Sequence, residues 1–270
     1  MNTLTALLTK AFDIILKPFD ALSPVYGLCF ISVLSGFVLI KLFVMSSNKT
    51  AVDRAKNRII GHLLEVAIYQ HDIVISLRAL GKMLAANLSY IKTTFIPLCV
   101  VLIPCVLIMA QLNLRYAYRP FDTGEQTILT VKLEDNADLY RYSLSVSDGL
   151  VVDTPALRIE DNNEINWRIK AVMDGVQTIS ISDNNGQVVT KKVFVNQNEL
   201  KLAPGRYKNW WDNILYPGEK VLNNQSEIKS IEIKYPQTRY TFFSMRLHWL
   251  VVFFCVSLVA GLFFKMIFKW

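Results

Sequence analysis

The three histidines are the side chains of this sequence best suited to metal binding or to general acid–base catalysis, and their spacing supports neither role. His62 and His71 share one segment, His248 lies far along the chain, and none has Cys, Asp or Glu neighbours at metal-ligand spacing. The sequence also has no glycine-rich phosphate loop, no GxSxG elbow and no HExxH motif. We therefore predict no catalytic, cofactor-binding or metal site, and we expect no enzyme.

The carboxylates lead to the same expectation. Asp148, Asp153, Glu160 and Asp161 fall in stretches with turn composition, where solvated loop residues are the first interpretation and catalytic pairs or calcium ligands the alternative. The three long apolar segments of the chain contain no carboxylate, which argues against a proton-coupled transporter or a pump. No small-molecule substrate is therefore expected.

All four cysteines, Cys29, Cys99, Cys105 and Cys255, lie inside the long apolar segments. At such positions cysteine acts as a small apolar residue that packs against a neighbouring helix. The rest of the chain has none, so we predict no disulfide framework.

Those apolar segments define the organisation of the chain. Apolar residues make up 52% of it, more than a soluble domain usually has, and the excess lies in residues 26–45, 95–114 and 247–264. Each segment has about the 20 residues that a helix needs to cross a hydrocarbon core. The predicted fold class is a membrane protein with three transmembrane α-helices, a cytoplasmic helical hairpin and an extracytoplasmic β-sandwich domain. The predicted divisions are an interfacial amphipathic helix (1–24), transmembrane helix 1 (25–45), the basic hairpin (46–94), transmembrane helix 2 (95–114), the β-sandwich (115–245), and transmembrane helix 3 with a short tail (246–270).

The charge distribution predicts which parts face the cytoplasm. Residues 46–93 hold seven Lys or Arg against three Asp or Glu, whereas residues 114–245 hold 16 against 17. Two more basic residues, Lys265 and Lys269, follow the last apolar segment. By the positive-inside rule the hairpin and the C-terminus are cytoplasmic, while the N-terminus and the β-sandwich are outside the bacterial cytoplasmic (inner) membrane. The basic excess is thus a topology signal first, and nucleic-acid binding is the weaker alternative.

The basic stretch 46–94 has no proline and a single turn signal, Gln70-His71-Asp72. Apolar residues recur at helical spacing on both sides of this turn, and Asp72 is placed to cap the second helix. The stripes are Val52, Ala55, Ile59, Leu63 and Val66, then Ile73, Leu77, Leu80, Leu84, Leu88 and Ile91. We expect a helical hairpin that leaves the membrane and returns to it. Its candidate contacts with a cytoplasmic partner are Arg54, Lys56, Arg58, Arg78 and Lys82.

Polar residues in the first apolar segment suggest close packing of helices or a polar cavity between them. Lys41 lies close enough to the inner boundary to snorkel to the headgroups, and a polar cavity between helices is the alternative. Ser32 and Gly36 share a face that would allow close helix approach. Ser257 and Gly261 form a similar pair in the last segment.

The N-terminal 20 residues have one apolar and one polar helical face, and we predict a helix in the plane of the membrane interface, with a cleaved leader as the alternative. The polar face holds Thr9, Lys10, Asp13, Lys17 and Asp20.

Beyond Pro120 the apolar pattern changes to a period of two, which predicts strands. The predicted strands are residues 127–133, 142–146, 165–171, 176–181, 188–195 and 230–235. Asp183-Asn184-Asn185-Gly186 predicts a hairpin turn between two of them. Trp210 and Trp211 suit an interfacial belt or a cap on the sandwich core, and Trp249 is a predicted interface anchor.

The order of interfacial helix, span, basic cytoplasmic hairpin, span, exterior region and span resembles the core of the YidC/Oxa-type membrane protein insertase superfamily, over residues 1–115 and 246–270. The same plan is similar to that of uncharacterised bacterial membrane proteins. In the insertase family the hairpin meets ribosomes or targeting factors, and a polar groove among the spans receives hydrophilic ends of incoming proteins. The resemblance implies that Lys41 is the candidate groove cation and that Ser35 and Ser32 line the same groove.

Two functions follow from these observations. The first is an insertase-like or chaperone-like protein, with membrane lipids, a ribosome or targeting factor, and nascent membrane proteins as partners. The alternative is a non-catalytic structural subunit of a larger inner-membrane complex, in which the β-sandwich binds a partner outside. The two small-residue faces, which look too many for a self-sufficient three-helix protein, motivate the alternative.

Overall fold

The structure, a computed structural model, describes residues 3–19, 22–69, 71–184, 186–197, 201–242 and 245–268. Asp20, Gln70, Asn185 and Lys269, which contributed to the predictions above, lie outside the described residues. The chain divides into two units, one of Met1–Ile31 with Leu107–Phe253 and one of Ser32–Val106 with Phe254–Trp270.

Three helices are long and apolar enough to cross a membrane, and they coincide with the three predicted segments. The helices of the described chain are α1 (Thr3–Leu16), α2 (Pro24–Ser46), α3 (Lys49–Ile68), α4 (Ile73–Tyr116), α5 (Trp210–Leu215) and α6 (Trp249–Ile267). The three helices that are long and apolar enough to cross a membrane are α2, α4 and α6.

The side chains of Asn48 and Asp72 cap the N-terminal ends of α3 and α4. The side-chain oxygen of Asn48 accepts a hydrogen bond from the backbone N–H of Ala51, at 3.1 Å. Asp72 Oδ1 accepts from the N–H groups of Val74 and Ile75, at 3.0 and 3.1 Å. Each side chain satisfies donors that have no partner within the first helical turn. The predicted Asp72 cap is therefore confirmed.

The helix α4 is continuous across the boundary that the sequence placed at residue 94. It has 44 residues with Pro97 and Pro104 inside it. At 1.5 Å per residue its length is about 66 Å, roughly twice the thickness of a hydrocarbon core. One crossing therefore requires only about half of the length of α4. The boundary predicted at residue 94, between a hairpin helix and a separate span, therefore lies inside one continuous helix.

In the second unit, α2 and α6 cross at Gly36 with backbone on backbone. A Cβ atom built on Gly36 would overlap the carbonyl oxygen of Ser257 and would lie 3.2 Å from the amide nitrogen of Gly261. The small-residue faces predicted on the two segments thus pack against each other, which confirms their predicted role in close helix approach.

The first unit contains the β-sheets, whose strands are all paired antiparallel. The strands are β1 (Gln126–Leu133), β2 (Tyr142–Val146), β3 (Leu150–Val152), β4 (Leu157–Ile159), β5 (Glu164–Ala171), β6 (Gly175–Asp183), β7 (Val188–Val195), β8 (Gly205–Tyr207), β9 (Ile228–Ile233), β10 (Arg239–Phe242) and β11 (Met245–His248). One sheet has the order β3-β5-β1-β9-β8 with β4 also on β5, a second has β2-β6-β7, and β10 pairs with β11 directly before α6.

The two larger sheets share one hydrophobic core, as in a sandwich. Alternate residues of β1 and β5, among them Val131 and Ile165, are fully buried in the same cluster as Ile179 of β6 and Val193 of β7. The period-two pattern of the sequence is the cause, since it gives each strand one apolar face.

All six predicted strands are present, as β1, β2, β5, β6, β7 and β9, and β2 and β7 have the predicted bounds. The predicted turn joins β6 to β7, where Gly186 has a φ of +81° and donates its N–H to the Asp183 carbonyl at 2.9 Å. The remaining strands have three or four residues, too few to show a period of two.

Candidate functional site

The predicted partner-contact residues of α3 and α4 are all exposed. Arg54, Lys56 and Arg58 project from α3, and Arg78 and Lys82 project from the first half of α4. Within the described part of the chain, Lys82 is the one member of this set in an ion pair, 3.6 Å from Glu65 Oε1. Since the others are exposed and unpaired with carboxylates, their charge is available to a partner.

Large apolar side chains are exposed on the same two helices. Of the described residues in the range 49–94, the buried ones are Ala55, Ala79 and Ala86. The large side chains exposed there, from 42% for Leu80 to 79% for Ile73, are Ile60, Leu63, Leu64, Ile68, Tyr69, Ile73, Val74, Leu77, Leu80, Leu84, Leu88 and Ile91. We call the exposed basic and apolar side chains of residues 49–94 the α3/α4 surface. Many large apolar side chains exposed on one segment are typical of interaction sites.

Glu65 connects α3 to α4 on this surface. Its carboxylate is 3.0 Å from His62 Nδ1 and 3.6 Å from Lys82 Nζ. The hydrogen bond with His62 is the largest cause of a pKa of Glu65 below its usual value. Burial acts against this lowering, and the charge of Lys82 adds to it. Glu65 is therefore ionised at neutral pH, and it offsets only one of the surrounding cations.

The predicted groove residues of α2 lie in different surroundings. Ser32 and Ser35 are buried, with 0% and 3% of their surface exposed, whereas Lys41 is exposed. At 100° per residue, Lys41 points about 180° away from Ser32 around the helix. The structure thus brings the two serines into buried positions but does not bring Lys41 beside Ser32.

The three predicted interface tryptophans also differ in their exposure to solvent. Trp210 and Trp211 of α5 are 51% and 65% exposed, so they do not lie within the core between the sheets. Their rings pack edge to face with centroids 4.5 Å apart. Trp249 is only 3% exposed, and its Nε1 has no hydrogen-bond acceptor among the described residues. A side chain so enclosed by protein does not contact lipid headgroups. The structure therefore does not support the predicted role of Trp249 as an interface anchor.

A buried arginine cluster, formed by Arg115, Gln111, Thr9 and Asp13, was not predicted as a site. The Arg115 side chain is 5% exposed, and its Nη2 donates to Asp13 Oδ1 at 2.6 Å and to the Thr9 carbonyl at 3.2 Å. Its Nη1 donates to Gln111 Oε1 at 2.9 Å, and Gln111 Nε2 donates to Thr9 Oγ1 at 3.2 Å. The cluster fixes α1 to the end of α4.

The sequence placed Thr9 and Asp13 on the polar face of α1, but the structure buries Thr9 and half-buries Asp13. Thr9 is 7% exposed, whereas the apolar Leu7 and Ile14 are 68% and 75% exposed. Burying the Arg115 guanidinium requires acceptors around it, and α1 supplies them. The signal in the sequence is a pair of polar residues four apart in each helix, Thr9 with Asp13 and Gln111 with Arg115.

The ionisation of Asp13 follows from this cluster. Burial acts against its charged form, but the hydrogen bonds from Arg115 and Lys201 outweigh burial and lower the pKa of Asp13 below its usual value of 3.8. Lys201 Nζ lies 3.0 Å from Asp13 Oδ2. At neutral pH the carboxylate is therefore charged and shared between two cations.

The described residues include no group of three or more His, Cys, Asp or Glu side chains that could hold a metal ion. Comparison with known proteins found no matching protein-family model, no matching curated protein and no matching solved structure.

Proposed function

We propose that this chain assists the insertion or assembly of other membrane proteins, and that the α3/α4 surface is the part that contacts them. One observation carries the proposal: residues 49–94 expose apolar and basic side chains together and bury only alanines among the described positions. An ordinary surface helix buries its apolar stripe against its own domain. Here that stripe is free to receive apolar segments of other chains.

The chemistry of this surface suits clients of varied sequence. Leucine and isoleucine side chains contact apolar segments without directional bonds, so they do not require a particular client sequence. The neighbouring arginines and lysines would attract acidic protein, anionic lipid or the phosphates of a ribosome.

The proposed placement puts α2, the second half of α4 and α6 across the bacterial cytoplasmic membrane. The positive-inside rule then places α3 and the first half of α4 in the cytoplasm as a helical hairpin, with the sheets outside. This order resembles that of the YidC/Oxa-type insertases, in which the hairpin meets ribosomes or targeting factors. Lys41, exposed on α2, is the cation that would take part in a membrane groove.

A second candidate function is that of a fixed subunit in a larger membrane complex. The exposed Trp210–Trp211 pair favours it, because tryptophans are frequent at the centres of protein interfaces. The small-residue faces that first suggested this function no longer do so, since those of α2 and α6 pack against each other.

An insertion assay tests the proposal. The purified full chain is placed in proteoliposomes, ribosomes carrying a single-span test protein are added, and the protease-protected fraction is measured. We expect the variant Arg54→Gln/Arg58→Gln/Arg78→Gln to insert several-fold less protein, because the removal of three cations from one surface weakens its association with anionic partners.

The matched control is Arg168→Gln/Lys234→Gln/Arg239→Gln, which removes three exposed cations from the sheets and should leave insertion unchanged. Equal insertion by wild type, variant and empty liposomes would contradict the proposal. Copurification of one partner at fixed stoichiometry would instead support the subunit function.

A further inference from the structure

A cleft of about 730 Å³ lies between α1, the last turn of α4 and the strands β7 and β8, all within the first unit. Its volume is in the range of sites that bind small ligands. Five cationic side chains line it against two carboxylates, and we call it the basic cleft. The cations are Lys10, Lys192, Lys201, Arg206 and Lys220.

Both carboxylates of the basic cleft already have partners. Asp13 is bound by Arg115 and Lys201, and Glu219 is bound by Lys191 at 2.5 Å. In the part of the chain that the structure describes, Lys10, Lys192 and Lys220 form no ion pair. The cleft therefore has positive charge that the protein itself does not compensate.

The wall of the cleft is fixed by hydrogen bonds of Lys191 and Arg206. Lys191 has a fully buried side chain, and its Nζ also donates to the Ala203 carbonyl at 3.0 Å. Arg206 donates from Nε to the Lys220 carbonyl and from Nη1 to the Thr190 carbonyl, both at 2.8 Å. These bonds hold the guanidinium in place before any ligand arrives, which reduces the ordering cost of binding.

The position of the cleft indicates which anion it would meet. Leu114, two residues before the end of α4, contributes to its lining, and the backbone N–H of Leu202 donates to the Leu114 carbonyl at 2.9 Å. The apolar second half of α4 ends at this turn, so in the membrane placement proposed above the turn lies at the depth of the lipid headgroups. The exposed Leu7 and Ile14 of α1 are suited to contact the acyl region beside it.

We propose that the basic cleft binds the phosphate of an anionic phospholipid headgroup, with phosphatidylglycerol as the representative lipid. Lys10, Lys192 and Lys220 are the side chains with free charge for the phosphate, and Arg206 is the fixed donor beside them. The inference rests on the membrane placement proposed above. It does not depend on the α3/α4 surface, so an unsuccessful insertion assay would leave it standing.

The test measures lipid bound to the purified full chain in a neutral detergent by native mass spectrometry. The chain is titrated with phosphatidylglycerol, with zwitterionic phosphatidylcholine or with inorganic phosphate. We expect phosphatidylglycerol to bind at least ten-fold more tightly than phosphatidylcholine. The variant Lys10→Gln/Lys192→Gln/Lys220→Gln should lose roughly 100-fold in affinity for phosphatidylglycerol, since each lysine near an anionic headgroup contributes about five-fold.

The control Arg168→Gln/Lys234→Gln/Arg239→Gln removes the same charge outside the cleft and should bind phosphatidylglycerol as the wild type does. A circular dichroism spectrum that matches the wild type confirms that the cleft variant is folded. Equal binding of both lipids, or unchanged binding by the cleft variant, would overturn the proposal. Displacement of phosphatidylglycerol by millimolar inorganic phosphate would also overturn it, because the ligand would then be a free anion.

Discussion

Replacing Gly36 with alanine is expected to lower the free energy of unfolding by about 2 kcal/mol or more, the cost of inserting atoms into a closely packed contact. The new methyl group would overlap the carbonyl oxygen of Ser257, and it would lie 3.2 Å from the amide nitrogen of Gly261. Both neighbours are backbone atoms of α6, so they can move only if the helix moves. The measurement is the unfolding midpoint of the purified chain in a titration from mild detergent to sodium dodecyl sulfate.

Gly81→Ala is the matched control for this substitution. Gly81 lies inside α4, and a Cβ atom there would have no neighbour within 4 Å. The same chemical change should therefore stabilise the chain by about 0.5–1 kcal/mol, through the lower entropy of the unfolded state and better helix propensity. If the two alanine variants unfold at the same midpoint, α2 and α6 do not meet at Gly36.

Replacing Arg115 with methionine is expected to cost about 3 kcal/mol, the magnitude observed when one partner of a buried charged network is removed. The substitution leaves the Thr9 carbonyl and the Gln111 amide oxygen without their donor. Asp13 is partly exposed and keeps Lys201 as a partner, so the loss should lie at the lower end of the range for buried pairs. Hydrogen exchange of α1 amides should rise more than that of the strands, because the cluster joins α1 to α4.

The control Arg78→Met removes an exposed arginine from the same helix and should leave α1 exchange unchanged. The wild type should also show acid sensitivity of α1. The pKa of Asp13 is lowered in the folded chain, so its contribution is complete above the unfolded value of 3.8 and decreases as the pH falls through the lower folded value. If the α1 amides exchange equally fast in the wild type and in Arg115→Met at pH 7, the cluster does not join α1 to α4.

Local patterns in the sequence were sufficient for most of the secondary structure. The helices of membrane length were predicted because an uninterrupted apolar segment has few alternatives. The strand β7 was predicted with its bounds from an alternation of apolar and polar residues, and burial in the structure, at Val193 and Val195 for example, has the same period of two. The turn before it was predicted because a glycine occupies the position with positive φ.

Contacts between distant parts of the chain were not predictable in the same way. The pairing of Asp13 with Arg115 joins residues 102 positions apart, and no local period records it. Lys191 follows the alternating pattern of its strand yet is a charged residue at a buried position, which is explained only by Glu219 and the Ala203 carbonyl. The burial of Trp249 likewise depends on packing that a hydropathy pattern does not contain.

The continuity of α4 links the fold to the proposed function. One helix carries the exposed Leu84 and Leu88 in its first half and the apolar membrane-length segment in its second half. An apolar segment bound by the α3/α4 surface could therefore follow a single helical track towards the membrane. Separate helices joined by a flexible link would not provide such a track.

The most direct measurement of the central claim is photo-crosslinking in intact bacterial cells that express the full chain with a photoreactive residue at Leu84. Leu84 is 57% exposed on the α3/α4 surface, and the same residue placed at the fully buried Ala79 is the control. The proposed function predicts adducts from Leu84, absent from Ala79, that contain many different membrane proteins and that decrease when translation is stopped. An adduct of one fixed size that persists after translation stops, or adducts with lipid alone, would contradict it.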